Sequence, residues 1–304
     1  MKELYKEKPF TFVIGAQKSG TTTLHNLLLS HEEISLPEIK ETHFFSYTDL
    51  YQKGVDWYIE HFKLNKKTMC EIDPSYLFFP KCAERINESI VSPKFIIIFR
   101  RPLERAFSHY LMSCYRGYEK LSFIDALKNE KKRLGSNQNE FSFIHHSYLE
   151  RGNYVGQLDR YMSIFDKSSF LFIKFDDLIN IPKNKDLLKS ICSFMNVDYR
   201  LLEVELSKSN SKKKVKSIMV RDLLYKETFF KKIIKLAVPS DKWRNKIKGK
   251  VNSLNSTNYS NEESRHELVK NIKMLPKEYF NWSNKQTRNL SEISNLNLDD
   301  WMYD

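Results

Sequence analysis

The sequence predicts an α/β fold: a parallel β-sheet flanked by helices on both faces, with a helical C-terminal region. Three observations carry this expectation. Phe10 to Ile14 is a short run of aromatic and β-branched residues that stops at Gly15 and is followed by Leu24, Leu27 and Leu28 at helical spacing. Lys94-Phe95-Ile96-Ile97-Ile98-Phe99 is a nearly continuous apolar run of the kind a parallel sheet buries on both faces. Strand-like and helix-like segments then alternate to about residue 200, as they do where parallel strands are joined by helical crossovers.

Taken in order, Phe10–Ile14 is the first strand. Gly15-Ala-Gln-Lys18-Ser19-Gly20-Thr21-Thr22 is the loop behind it, with Thr21, Thr22 and Thr23 as candidate caps for the first helix. Ile34 to Pro37 reads as a short strand, Val55 to Phe62 as a helix and Thr68 to Ile72 as another buried strand. After Lys94–Phe99, Arg100-Arg101-Pro102 ends the strand, and Phe107, Tyr110, Leu111 and Cys114 share one face of a helix that starts at the proline. Tyr154 to Phe165 forms a wide helical stripe, Ser169 to Phe175 a strand, and Leu187 to Met195 an amphipathic helix. Leu268, Ile272, Leu275, Leu290, Ile293 and Trp301 predict C-terminal helices that pack back on the core.

At 304 residues the chain suffices for one large α/β domain or two small ones. Without a Gly- or Pro-rich linker, 1–304 reads as a single domain, with a core of about 8–200 and a basic, mostly helical part of about 207–304. Cys70, Cys82, Cys114 and Cys192 form no C-x2-C pair, which argues against a zinc site or a disulfide framework and for core thiols in a reducing compartment. No charged n-region with an apolar h-region opens the sequence, and the apolar runs fall short of a membrane span, so a soluble, cytoplasmic protein is expected.

The net charge of +12 is concentrated. Ser207 to Lys250 holds fifteen Lys and Arg against Asp222, Glu227 and Asp241, which equals the whole excess. Such asymmetry points to an acidic substrate, a phosphate-bearing cofactor or an anionic membrane surface as partner. Within it, Phe229, Phe230, Ile233, Ile234 and Leu236 interleave with Lys231, Lys232 and Lys235. An inward-packing helical lobe is the simplest reading, beside an interfacial helix on anionic lipid or the wall of an acidic groove.

The chemistry starts in the Gly15–Thr22 loop. Its glycines let the backbone approach a ligand, and the free N–H groups at the helix start point at it, so an anion and above all a phosphate is the expected occupant. The spacing Gly15-x4-Gly20 is that of a nucleoside triphosphate P-loop, but Thr21 stands where that motif has its lysine, and Lys18 lies inside the loop. Lys40-Glu41-Thr42-His43-Phe44-Phe45 places two ionisable side chains two residues apart, on one side of an extended segment. Arg100 at a strand end and Ser108 in the following helix read by themselves as a surface arginine and a polar helix position, although a guanidinium is able to fork two phosphate oxygens and a hydroxyl to donate a third bond.

Together these motifs resemble the sulfotransferases that use 3′-phosphoadenosine 5′-phosphosulfate (PAPS), closest to the heparan sulfate and other glycan sulfotransferases and their bacterial relatives. The resemblance implies a P-loop-like sheet, the 5′-phosphate on Ser19, Gly20, Thr21 and Thr22, and the 3′-phosphate on Arg100 and Ser108. It implies that Lys18 stabilises the leaving group, that Glu41 in Glu-x-His-Phe-Phe is the base, and that His43 orients it or shares the proton. The product would be adenosine 3′,5′-bisphosphate, with no metal. One of Lys212 to Lys214 would close a basic loop over the phosphates. The family's Glu-Lys-Thr-Pro-x-Tyr, whose lysine helps hold the sulfo group, appears here as Glu71-Ile72-Asp73-Pro74-Ser75-Tyr76, without that lysine.

The resemblance thus implies sulfuryl transfer to an acceptor hydroxyl or amine, of a carbohydrate or an acidic molecule, without nucleic acid and with peripheral contact to anionic membrane left open. Two competitors are weaker. A P-loop nucleotide-dependent kinase needs a lysine after Gly20 and a magnesium-holding aspartate at a strand end, where Thr21 and Arg100 stand. A non-enzymatic polyanion or membrane-surface binder leaves Glu41 and Lys18 unused, and no nucleic-acid module is present.

Overall fold

The computed structural model describes residues 7–135, 140–180, 184–202, 213–215, 217–225, 247, 250–251, 253–258 and 261–304. Its elements run β1 (Phe10–Gly15), α1 (Thr21–Leu28), β2 (Ile34–Ser35), α2 (Thr48–Tyr51), α3 (Val55–Ile59), β3 (Thr68–Ile72), α4 (Cys82–Ser89), β4 (Lys94–Phe99), α5 (Pro102–Arg116), α6 (Phe123–Gly135) and α7 (Glu140–His145). There follow α8 (Tyr154–Met162), β5 (Phe170–Lys174), α9 (Phe175–Ile179), α10 (Lys185–Met195), β6 (Lys213–Val215), α11 (Ile218–Tyr225), β7 (Ser256–Asn258), α12 (Asn261–Lys273) and α13 (Lys277–Ser294).

The chain divides into two compact units: Met1–Arg105 with Arg151–Ser209 and Glu278–Asp304, and Ala106–Glu150 with Asn210–Lys277. The first is built on a five-stranded sheet in the order β2-β3-β1-β4-β5, and every pairing in it is parallel. Side chains alternate across a strand, so each strand feeds two cores. Phe10, Phe12 and Ile14 of β1 and Phe95, Ile97 and Phe99 of β4 meet Phe44, Phe45, Tyr58, Tyr76, Leu290 and Trp301 on one face. Val13, Cys70, Ile72, Ile96, Ile98 and Ile173 meet Leu24 and Leu28 of α1 and Leu188, Ile191 and Met195 of α10 on the other. The expected parallel sheet covered by helices on both faces is therefore present.

β1 lies centrally between β3 and β4, so the loops after these three strands open at one edge of the sheet, where ligands of such folds collect. In the second unit β6 and β7 pair antiparallel. Lys213 and Lys214 therefore stand in a strand, because they pair with Asn258 and Thr257, rather than in the basic loop expected there. Lys212 and the Phe229–Leu236 stretch lie outside the described residues. Among the described residues, no helix is long and apolar enough to cross a membrane.

Candidate active site

The loop after β1 is shaped by close packing. A Cβ at Gly15 would come within 2.9 Å of the Leu77 Cβ, and one at Gly20 would meet Leu178 at 3.0 Å and Phe175 at 3.2 Å. Gly20 also takes a left-handed φ of 89° and is itself the N-cap of α1, with no side-chain cap. Thr21 is thus the first helical residue rather than a cap, because glycine reaches that backbone conformation without strain and moves the helix start back by one residue. The Thr23 and Leu24 N–H groups donate to the Gly20 carbonyl, so the N–H groups of Gly20, Thr21 and Thr22 precede the first intrahelical bond. They form the electropositive end of the helix. The loop is tied down by the Ala16 N–H donating to the Ile98 carbonyl of β4 at 2.8 Å, and Ser19 in it is buried.

Arg100 follows β4 and reaches this loop. Its Nη1 donates to the Lys18 carbonyl at 3.3 Å, its Nη2 donates to Glu104 Oε2 at 3.2 Å, and its guanidinium lies 4.5 Å from the centroid of the Phe175 ring. Tyr154 fixes the Arg100 backbone by donating its hydroxyl to the Arg100 carbonyl at 2.7 Å. The Arg100 guanidinium therefore stands against the backbone of the Lys18 loop, within the first unit. Ser108 is a buried residue of α5 and belongs to the second unit.

Residues 41–43 do not form the extended segment expected. Glu41 and His43 both have a left-handed φ, 57° and 56°. Strain of this kind costs roughly 1–3 kcal/mol per residue and persists only where the surroundings over-determine it. Two carboxylates at the end of β3 do so. Glu71 Oε1 accepts from the Thr42 N–H at 3.1 Å and the Thr42 hydroxyl at 2.5 Å, while Asp73 Oδ2 accepts from the His43 N–H at 2.9 Å. Asp73 Oδ2 also stands 2.8 Å from His43 Nδ1, and its Oδ1 accepts from the Ser75 N–H at 2.9 Å. Glu41 turns toward α1: Lys40 Nζ donates to Glu41 Oε1 at 3.0 Å and to Thr22 Oγ1 at 2.9 Å.

The electrostatics follow from this packing. Glu71 is fully buried, and burial together with the Asp73 charge pushes it up to about 7, against the pull of the Thr42, Tyr58 and Tyr76 hydroxyls that donate to it. For His43, burial acts downward, but Asp73, Glu41 and Glu71 together outweigh it and raise the imidazole above its ordinary value. The ring remains one-third exposed while Asp73 is fully enclosed. The Asp73 carboxylate beside Nδ1 favours a proton on that nitrogen.

Glu71, Lys40 and Asp73 stand outside the set expected from sequence. Lys40 neighbours Glu41 in the motif without an assigned role, and Asp73 is an aspartate where the family pattern has threonine, a signal legible beside the more conspicuous Ile72. The Ile72 side chain is buried in the core on the α1 side of the sheet, so that position supplies no positive charge.

A Sulfotransferase domain model matches residues 8–253. The mouse protein named heparan sulfate glucosamine 3-O-sulfotransferase 5 is 27% identical over 208 residues, 68% of this chain and 58% of that protein. The bifunctional heparan sulfate N-deacetylase/N-sulfotransferase 1 of Caenorhabditis briggsae is 28% identical over 216 residues, 68% of this chain and 25% of that protein. The chain thus spans less than two thirds of the length of these relatives. The crystal structure of a sulfotransferase from Alicyclobacillus acidocaldarius superimposes with a TM-score of 0.57 at 26% identity, covering 71% of this chain and 90% of that one.

Proposed function

Because the chain belongs to the sulfotransferase domain family, we propose that it transfers a sulfuryl group from PAPS to a hydroxyl or amine of a carbohydrate acceptor. The observation that carries this reading is the meeting of three separate motifs at one loop: Arg100 on the Lys18 carbonyl, and Lys40 bridging Glu41 to Thr22. The donor set fits a doubly phosphorylated nucleotide, with helix-start N–H groups and Lys18 for one phosphate and the fixed guanidinium of Arg100 for another. The pairing of Arg100 with Ser108 on the 3′-phosphate comes from the family resemblance. When bound, the nucleotide supplies an activated sulfuryl group and departs as the 3′,5′-bisphosphate.

The side chains do the rest. Lys18 would meet the negative charge that grows on the leaving phosphate oxygen, as a cation already carried by the loop. Glu41, one-third exposed and held toward α1 by Lys40, accepts the proton of the attacking acceptor oxygen or nitrogen. The carbohydrate acceptor is supported by Glu41-x-His43-Phe44-Phe45 and by the heparan sulfate enzymes among the relatives.

Binding of adenosine 3′,5′-bisphosphate and transfer from labelled PAPS to a panel of oligosaccharides test the reading. Glu41→Gln is expected to lower transfer by about 10²–10⁴-fold with bisphosphate affinity retained. Full transfer by that variant overturns the base assignment, and retention on a bisphosphate column that only salt reverses overturns the nucleotide site.

A further inference from the structure

The family pattern brings a lysine to the sulfo group from the position of Ile72, and here that side chain is core. The same strand end instead supplies Asp73, at the place of the pattern's threonine. Its two oxygens have separate tasks. Oδ1 closes a local turn onto the Ser75 N–H, whereas Oδ2 reaches thirty residues back along the chain to both the backbone N–H and the Nδ1 of His43. A residue needed only for the turn would use the first contact alone.

Burial of the ring works against its charge, Asp73, Glu41 and Glu71 work for it, and the Tyr47 ring stands edge-on at 5.4 Å. Lys40 is engaged with Glu41 and Thr22, and Arg151, enclosed at 2% exposure, bears on Asp73 and Tyr47 at longer range. An imidazole beside a carboxylate holds its proton more strongly, and the one-third-exposed ring is then a charge-assisted donor.

We infer that Asp73 holds His43 as an imidazolium facing the transferring sulfo group, so that the His43–Asp73 pair supplies the cation that position 72 lacks. This role rests on the reading of the chain as a PAPS-dependent sulfotransferase. It makes His43 a charge donor to the sulfo oxygens that moves no proton of its own, while the acceptor's proton goes to Glu41. Asp73 is a positioning residue acting through it.

The sulfo group is present in PAPS and absent from the bisphosphate, whose 5′-phosphate has a second ionisation of its own at about pH 6, so the effect is read as the difference between the wild-type and His43→Asn affinity ratios. Calorimetric titration of the full chain with each nucleotide, without acceptor, is made from pH 6 to pH 9. His43 is followed in parallel by its imidazole NMR signals. The wild-type preference for PAPS is expected to fall about tenfold as the pH rises through the His43 titration, the size of one lost charge-assisted hydrogen bond. Asp73→Asn is expected to move both the titration and the fall to lower pH.

Since Asp73 also anchors backbone, His43→Asn serves as the second variant. It leaves both Asp73 backbone contacts in place, and asparagine tolerates the left-handed φ. It is expected to leave only the pH dependence that the bisphosphate's own 5′-phosphate gives the ratio, while bisphosphate affinity stays at the wild-type value. A His43→Asn chain with the wild-type pH profile of the ratio overturns the role of the pair. A wild-type chain that binds neither nucleotide overturns the functional reading itself, and this role with it.

Discussion

Glu71 in the first unit and Glu119 in the second are both glutamates almost wholly removed from solvent, yet their environments drive them in opposite directions. Glu119 meets a guanidinium: Arg133 donates from Nη1 at 2.5 Å and Nη2 at 3.2 Å, joined by the Tyr148 hydroxyl and the Lys120 and Leu121 N–H groups at 2.9 Å. Burial there acts upward, but Arg133 and the other donors overcome it and bring Glu119 down to about 2. Glu71 is held by the hydroxyls of Thr42, Tyr58 and Tyr76 and the Thr42 N–H, with another carboxylate beside it, and goes up to about 7. Burial with a matched cation makes a structural anchor. Burial with neutral donors makes a carboxyl whose charge changes near neutral pH, and this one lies against residues 41–43.

The contrast has a pH signature. Glu119 is depressed, so its stabilisation is present above the ordinary carboxylate value of 4.5 and is lost as the pH falls toward about 2. Glu71 is raised, so its contribution is present below 4.5 and is lost as the pH rises through about 7. His43, also raised, adds stability below 6.5 that is lost at higher pH. Urea unfolding across pH 2–9 is expected to show both limbs.

The largest effect is expected from Arg133→Met, which leaves Glu119 buried without its cation and should cost about 3–5 kcal/mol at pH 7, with the acid limb moving to higher pH. A loss below about 1 kcal/mol would mean that Tyr148 and the two N–H groups hold the charge alone, and the comparison would lose one side. Glu71→Gln should flatten the limb between pH 4.5 and 7 while changing stability at pH 5 by about 1–2 kcal/mol; a limb that stays assigns the neutral-pH loss to another group. Tyr58→Phe removes one donor to Glu71, at a cost of about 1 kcal/mol, and should move that limb upward in pH. Lys189→Ala is the water-exposed control. It breaks a pair whose side chains are 59% and 93% exposed and should change the unfolding free energy by less than about 0.5 kcal/mol at any pH.

Much of the architecture was legible because local pattern and burial coincide. The Phe10–Ile14 and Lys94–Phe99 runs are strands whose alternate residues feed the two cores, and the proline at 102 opens α5 as its fixed φ allows. The candidate site was legible only in outline. Lys18, Glu41, His43 and Arg100 stand out through the motifs shared with the sulfotransferases, but the left-handed backbone at 41 and 43 has no local signal, since it is imposed by carboxylates thirty residues away. The threonines after Gly20 looked like caps, and the glycine took that place because its backbone alone could.

By itself the sequence determined which residues form the strands, where the glycines break them and what chemical groups follow each break, because these depend on near neighbours in the chain. Tertiary structure alone decided that Lys40 ties Glu41 to Thr22, that Asp73 faces His43, and that Arg133 neutralises one buried glutamate while hydroxyls leave another titratable. A side chain's charge state is set by how much water it loses and which partner replaces it, and both are fixed only once distant segments have packed.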